Sequence, residues 1–387
     1  MTSPLPAITA SIPVGDNPGA MVVSPDGKYL YVACYGDRTV TVVDTTDNQP
    51  IASIPCRAEG LYGAAISPDG QTLYLSDVSV VLFVDTTSRA FAGSTGQLGH
   101  PSGLALSADG GRLYAALASA NAAAIVDTAT NAVVATVKVG DSPYQLALSP
   151  DGSHLYVANS DHSLSVINTA THHVIATIPV DTAAGVAVSP DGAHAYVANY
   201  SPGTLSVIKT AANAVVATVP VGEGAKSPVF SPDGAHVYVV SGEFPTTLSI
   251  IDTATNTVVA SCAAGNYPNN TVVSRDSSTV YVSNNESPYT VTAVAVAPKP
   301  VPRPNWSETL VAQVLEGVIN DAGGWVKLGG KLIRIPPRQP VEAILAALPA
   351  ALSQRVAPLL KSLPSSTTTE AALRRQLSTA IADYQKQ

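Results

Sequence analysis

The stretch Gly185-Val-Ala-Val-Ser-Pro-Asp-Gly192 runs into Ala193-His-Ala-Tyr-Val-Ala-Asn199, then into Leu205-Ser-Val-Ile208 and Ala214-Val-Val-Ala-Thr-Val-Pro-Val-Gly222. It is one copy of a repeat. The serine of its Ser-Pro-Asp-Gly turn recurs at Ser24, Ser67, Ser107, Ser149, Ser189 and Ser231 and, with the turn altered to Ser-Arg-Asp-Ser, at Ser274. The spacings are 43, 40, 42, 40, 42 and 43 residues. Four short apolar runs repeated at that period predict the blades of a seven-bladed all-β propeller.

Each unit follows from local chemistry. In Ser-Pro-Asp-Gly, proline presets φ at the second turn position and glycine accepts positive φ at the fourth, so a hairpin joins the first run to the second. The second run carries Tyr31, Tyr74, Tyr114, Tyr156, Tyr196, Tyr238 or Tyr281, and a turn such as Asp127 to Asn131 leads to the fourth. Pro55, Pro179 and Pro220 stand near the end of that fourth run. Proline cannot donate to a ladder, which places the fourth run at the blade's outer edge. Ile8-Thr-Ala-Ser-Ile-Pro-Val-Gly15 matches a fourth run yet precedes the first turn, while the seventh unit reaches Pro298 without one. The N-terminal segment is therefore expected to close the ring inside the last blade, with Ile8, Ile12 and Val14 inward and Thr9 and Ser11 outward.

The Ser-Pro-Asp-Gly and Tyr-Val-Ala-Asn pair resembles the YVTN family of propeller repeats, over residues 1–297. The resemblance implies the fold and leaves activity open. Its relatives include surface-layer proteins and scaffolds, and similar seven-bladed folds host lactonases and cycloisomerases.

Composition narrows the classes. The chain has 387 residues, 46% apolar and 12% charged, with no apolar run long enough to span a membrane. Residues 1–6 show neither a basic nor an apolar leader segment, so the expected location is cytoplasmic without a signal peptide; trimming of an N-terminal leader would leave export open. Cys34, Cys56 and Cys262 have no metal-ligand spacing, and no metal or cofactor is expected. The formal net charge of −8 disfavours a nucleic-acid partner.

The first runs hold no charged residue, and their strong polar groups, Gln145, Ser227 and Asn270, sit at the end away from the turn. A deep catalytic channel is not expected. Function is sought in the loops joining second to third and fourth to first runs. These collect Asp16, Asp37, Asp141, Asp161 and Asp181 with Tyr62, Tyr144, Tyr200 and Tyr267. An acidic, tyrosine-rich rim suits a cationic ligand or a basic protein segment. Glu59 and His100 are the candidates for acid–base chemistry.

At Pro298-Lys-Pro-Val-Pro-Arg-Pro304 the character changes. Residues 298–305 read as a stiff linker, and 306–387 as a basic, α-rich domain with a hairpin turning at Gly329-Gly330. Residues 1–297 carry 9 Lys+Arg and 22 Asp+Glu, and the remainder 11 and 6. The opposite charges favour docking of the tail on its own or a neighbouring propeller, and hence a homo-oligomer. The sequence thus reads as a binding or scaffold module acting through the acidic loop face. The alternative is a lyase, isomerase or lactonase-like enzyme at that face, acting on a small polar substrate.

Overall fold

The computed structural model describes residues 6–56, 58, 60–242 and 246–296, and the strands Gly324–Leu328 and Lys331–Ile335. The chain divides into two units, 1–299 and 300–387. The first is a ring of seven four-stranded antiparallel sheets. In six of them the strands follow one another outward in chain order. In blade 7, Ala7–Pro13 completes the sheet by pairing with Thr290–Ala295, with Ile12 opposite Val291. The ends of the repeat region thus close the ring.

The turns explain the repeat. In every blade the serine hydroxyl donates to the aspartate Oδ1 two residues on, at 2.5–2.6 Å. The same serine oxygen accepts the backbone N–H five residues on, at 2.9–3.0 Å. Glycine takes positive φ at the fourth position, as Gly192 does at 73°; in the altered seventh turn Ser277 bears 61° instead. The core lies between neighbouring sheets. Tyr196, Leu205 and Val219 of blade 5 pack against Phe230, Val237 and Ile251 of blade 6, and the Tyr196 and Phe230 rings meet edge-on at 5.1 Å.

The N-terminal strand departs from the expected alternation. Ile12 is buried and Val14 is packed on the same core, but Ile8 is 50% exposed. A β-bulge between Ile8 and Ala10 leaves Thr9 unpaired and shifts the inward face by one residue. The corresponding outer strands carry the same bulge, which leaves Ile51, Val134, Ile175, Val216 and Val259 unpaired and exposed. Such a bulge twists an edge strand and blunts it against pairing with other chains. The innermost strands are not free of charge as expected: Lys226 begins that of blade 6.

Gly324–Leu328 pairs with Lys331–Ile335 as the expected hairpin. The helices expected in 306–323 and 341–384 lie outside the described residues. Among the described residues no helix is long and apolar enough to cross a membrane.

Candidate functional site

The loop face is built from two sets of connections, those between second and third strands and those entering the next blade. Residues from both lace together. Asn121 donates its amide to Asp141 Oδ1 at 2.6 Å and accepts the Ser142 N–H at 3.0 Å. Asp161 accepts the Asp141 N–H at 2.9 Å and the Ser163 hydroxyl at 2.6 Å. Asp37 accepts the Thr39 hydroxyl at 2.8 Å, and the Asp16 carbonyl accepts the Gly36 N–H at 3.0 Å. Asp16, Asp37, Asp141, Asp161 and Asp181 are all exposed. The acidic rim therefore charges the surface, and several of its members also hold the loops together.

The aromatic residues gather at the start of the innermost strands. Tyr62 of blade 2 and His100 of blade 3 lie with ring centroids 5.4 Å apart. Tyr144, at the start of the first strand of blade 4, has its phenol raised by burial and then by the neighbouring Tyr62 phenol. Tyr144 is nevertheless 42% exposed, as is Tyr62. Three successive blades thus present one aromatic cluster. In blades 6 and 7, Lys226 Nζ sits 5.4 Å from the Tyr267 ring centroid, a cation–π contact. Tyr200 and Asp181 stand apart, in blade 5, where the Tyr200 N–H reaches the Thr182 carbonyl at 2.8 Å. Glu59 lies outside the described residues, so His100 is placed with Tyr62 and Tyr144.

Below this cluster the innermost strands crowd together. A Cβ at Gly63 would fall 2.0 Å from the Ser102 carbonyl oxygen, and one at Gly103 would fall 2.8 Å from Gln145 Cα. The Ser102 hydroxyl bridges to the Pro143 carbonyl at 3.1 Å. The aromatic cluster therefore stands over closely packed junctions between blades 2, 3 and 4.

Burial pushes the Cys34 and Cys56 thiols up to about 11, and raises Cys262 as well. Among the described residues no group of three or more His, Cys, Asp or Glu is placed to hold a metal ion.

The turn face carries a second set of contacts. The tyrosines of the second strands are buried, and Tyr196, Tyr238 and Tyr281 are pushed up to about 12 by that burial. The Tyr196 hydroxyl donates to Asn256 Oδ1 of the next blade, and Tyr281 reaches Asn48 Oδ1 of blade 1 at 3.2 Å. These latches cross blade boundaries. A cleft of about 640 Å³ opens between blades 1 and 2, and one of about 350 Å³ between blades 4 and 5. One signal was present: asparagine recurs at the latch position at 48, 131, 213 and 256, while Arg89 and His172 break the series.

The cytochrome D1 heme domain family matches residues 108–226. Antigen Lp49 of Leptospira interrogans serogroup Icterohaemorrhagiae serovar copenhageni (strain Fiocruz L1-130) is 32% identical over 108 residues, covering 22% of this chain and 20% of that protein. The match spans about a fifth of that relative's length. A chain of the solved Kuenenia stuttgartiensis hydrazine synthase superposes with a TM-score of 0.65 at 22% identity, over 73% of this chain and 96% of that one. Together with the seven sheets, these matches establish the seven-bladed propeller fold.

The family name raises the question of heme. A heme iron needs an axial side chain beside a slot wide enough for the macrocycle. The matched stretch holds His154, His162, His172, His173 and His194, none of them on an innermost strand. His154 lies at the turn face with Nδ1 2.7 Å from Ser153 Oγ, and His173 Nδ1 is 2.6 Å from the Thr171 carbonyl. The matched stretch thus offers no innermost-strand histidine as an axial ligand.

Proposed function

We propose that this propeller is a binding module whose loop-face cup, formed by Tyr62, His100 and Tyr144, receives a cationic group, such as the lysine or arginine of a basic protein segment. The observation that carries this reading is the convergence of three partly exposed rings from three blades within an acidic rim. The Lys226–Tyr267 pair supports it, because a neighbouring tyrosine of the same face already holds a cation. Ring faces attract desolvated cations, and the rim carboxylates raise their local concentration.

A lysine-rich peptide and tetramethylammonium are the probes. Tyr62→Ala with Tyr144→Ala is expected to weaken both by ~0.5–2 kcal/mol per ring, about 2- to 30-fold each. Replacing Asp141, Asp161 and Asp181 by asparagine should flatten the salt dependence of peptide binding, since exposed charges are screened over ~8 Å at physiological ionic strength. Calorimetric titration that shows affinity indifferent to the tyrosines would remove the cup from the site.

A further inference from the structure

The larger of these two clefts lies on the opposite face from that cup, and its chemistry is different. Its walls are the Ser-Pro-Asp-Gly turns of blades 1 and 2, the buried Tyr31 and its neighbour Tyr29, Val42, and the outer turn of blade 2 from Thr86 to Arg89. Among the described residues, no tyrosine latch bridges it. Arg89 occupies the latch position at φ 55°, in the place that Asn48 and Asn256 hold at 58° and 53°. A guanidinium has no acceptor, so it cannot receive the Tyr31 hydroxyl as those asparagines receive Tyr281 and Tyr196. Thr86 stands beside that hydroxyl instead. The matching cleft between blades 4 and 5 keeps the asparagine, Asn213, and has about half the volume, 350 against 640 Å³.

The charges on the walls select the ligand. Asp26 is paired with Lys28 at 3.6 Å, and its Oδ1 is taken by Ser24. That leaves one cation, Arg89, and one anion, Asp69, whose Oδ1 is held by Ser67 and Gln71 and whose Oδ2 is left for a ligand. An anion alone would meet the carboxylates, and a cation alone would meet the guanidinium. A molecule carrying both signs satisfies both walls, and arginine matches a carboxylate through two parallel hydrogen bonds. Tyr29, Val42, Pro25 and Pro68 supply the apolar surface. The volume falls in the range of small-molecule sites. We propose that this cleft binds a free α-amino acid with an apolar side chain, its carboxylate on Arg89 and its ammonium on Asp69.

The test is calorimetric titration of the full chain with L-phenylalanine, phenylalanine amide and N-acetyl-phenylalanine. The wild-type protein is expected to bind phenylalanine saturably, and each derivative at least tenfold more weakly, because each lacks one of the two charges. Arg89→Asn should weaken phenylalanine at least tenfold and leave the amide unchanged. Asp69→Asn, which keeps an acceptor for Ser67, should weaken phenylalanine and leave N-acetyl-phenylalanine unchanged. Absence of saturable binding to the wild type, equal binding of the amide, or an unaffected Arg89→Asn variant would each overturn the assignment.

Discussion

Blades 5 and 2 are built on the same repeat, and they treat it differently. Blade 5 has strands Ala183–Val188, His194–Asn199, Thr204–Lys209 and Ala214–Pro220. In blade 2 they shrink to Ala64–Ile66, Thr72–Ser76, Val81–Asp85 and Ala90–Ser94. At the end of the second strand, blade 5 buries Asn199, whose amide donates to the Thr204 and Ser206 hydroxyls at 2.9 Å each. Blade 2 has Asp77 at the corresponding position, where its carboxylate accepts the Gly60 N–H at 2.9 Å and so shapes the loop that carries Tyr62. At the outer turn, blade 5 has Asn213 and blade 2 has Arg89. The positions at which blade 2 abandons the repeat are those that border the cup on one face and the wide cleft on the other. A propeller of near-identical units advertises function where one unit gives up a stabilising residue, since local rules broken at one place are maintained elsewhere for stability.

The strongest way to break this comparison is at the buried amide. Asn199→Leu removes two hydrogen bonds and strands two hydroxyls, for an expected loss of ~2–4 kcal/mol. The molecule contains its own control. Blade 3 has Leu117 there, opposite Ala122 and next to Ala124, with no hydroxyl to satisfy. Asn199→Leu combined with Thr204→Ala and Ser206→Ala should therefore recover most of the loss in chemical denaturation. In blade 2, Asp77→Asn keeps an acceptor for Gly60 and should cost under ~1 kcal/mol. An equal cost in the two blades would show that the amide is no more structural than its replacement.

Acid is expected to act on both blades alike, because the turns are the part they share. The serine hydroxyl, first, and the backbone N–H beyond it hold Asp69 and Asp191 below the usual carboxylate range, and Asp151 is lowered to about 2. Depressed carboxylates stabilise the fold above the unfolded value of 3.8, and that contribution is lost as pH falls through the folded values. Denaturation midpoints should thus fall between about pH 4 and 2. Ser67→Ala and Ser189→Ala should each shallow the decline to a similar extent. A decline unchanged by either serine would assign the acid sensitivity to other carboxylates.

Much of this was legible in the chain, and the illegible parts share a cause. The serine turns, the ring closure by Ile8 to Gly15 and the buried tyrosines follow from spacing and from contacts within one repeat. The exposure of Ile8 does not, because strict alternation carries no mark of the bulge at Thr9. The rim residues were legible as a set, but their division was not. Tyr62, His100 and Tyr144 meet only because three blades converge, and Asp141 and Asp161 become partners only across two connections. The latches are further still from local pattern, since Tyr196 and Asn256 lie 60 residues apart and Tyr281 and Asn48 lie 233 apart.

The smallest expected effect is the most discriminating for blade 2. Arg89 bears φ 55°, a left-handed conformation that asparagine adopts more readily than arginine. Asparagine there could also accept the Tyr31 hydroxyl, as Asn48 accepts Tyr281 at 3.2 Å. Arg89→Asn should therefore stabilise the protein by about 0.5–1 kcal/mol, the net worth of an intramolecular hydrogen bond. A chain of this size should show it as a rise of a few degrees in Tm, on the order of 2–4 °C per kcal/mol. The reverse change at a formed latch, Asn256→Arg in blade 6, should lower Tm by a similar amount. If Arg89→Asn instead destabilises, the arginine is a structural member of its turn, and the wide cleft beside it is a by-product of packing. If it stabilises while amino-acid binding is lost, blade 2 gives up stability at this turn to hold a charge where blades 1 and 6 hold a latch.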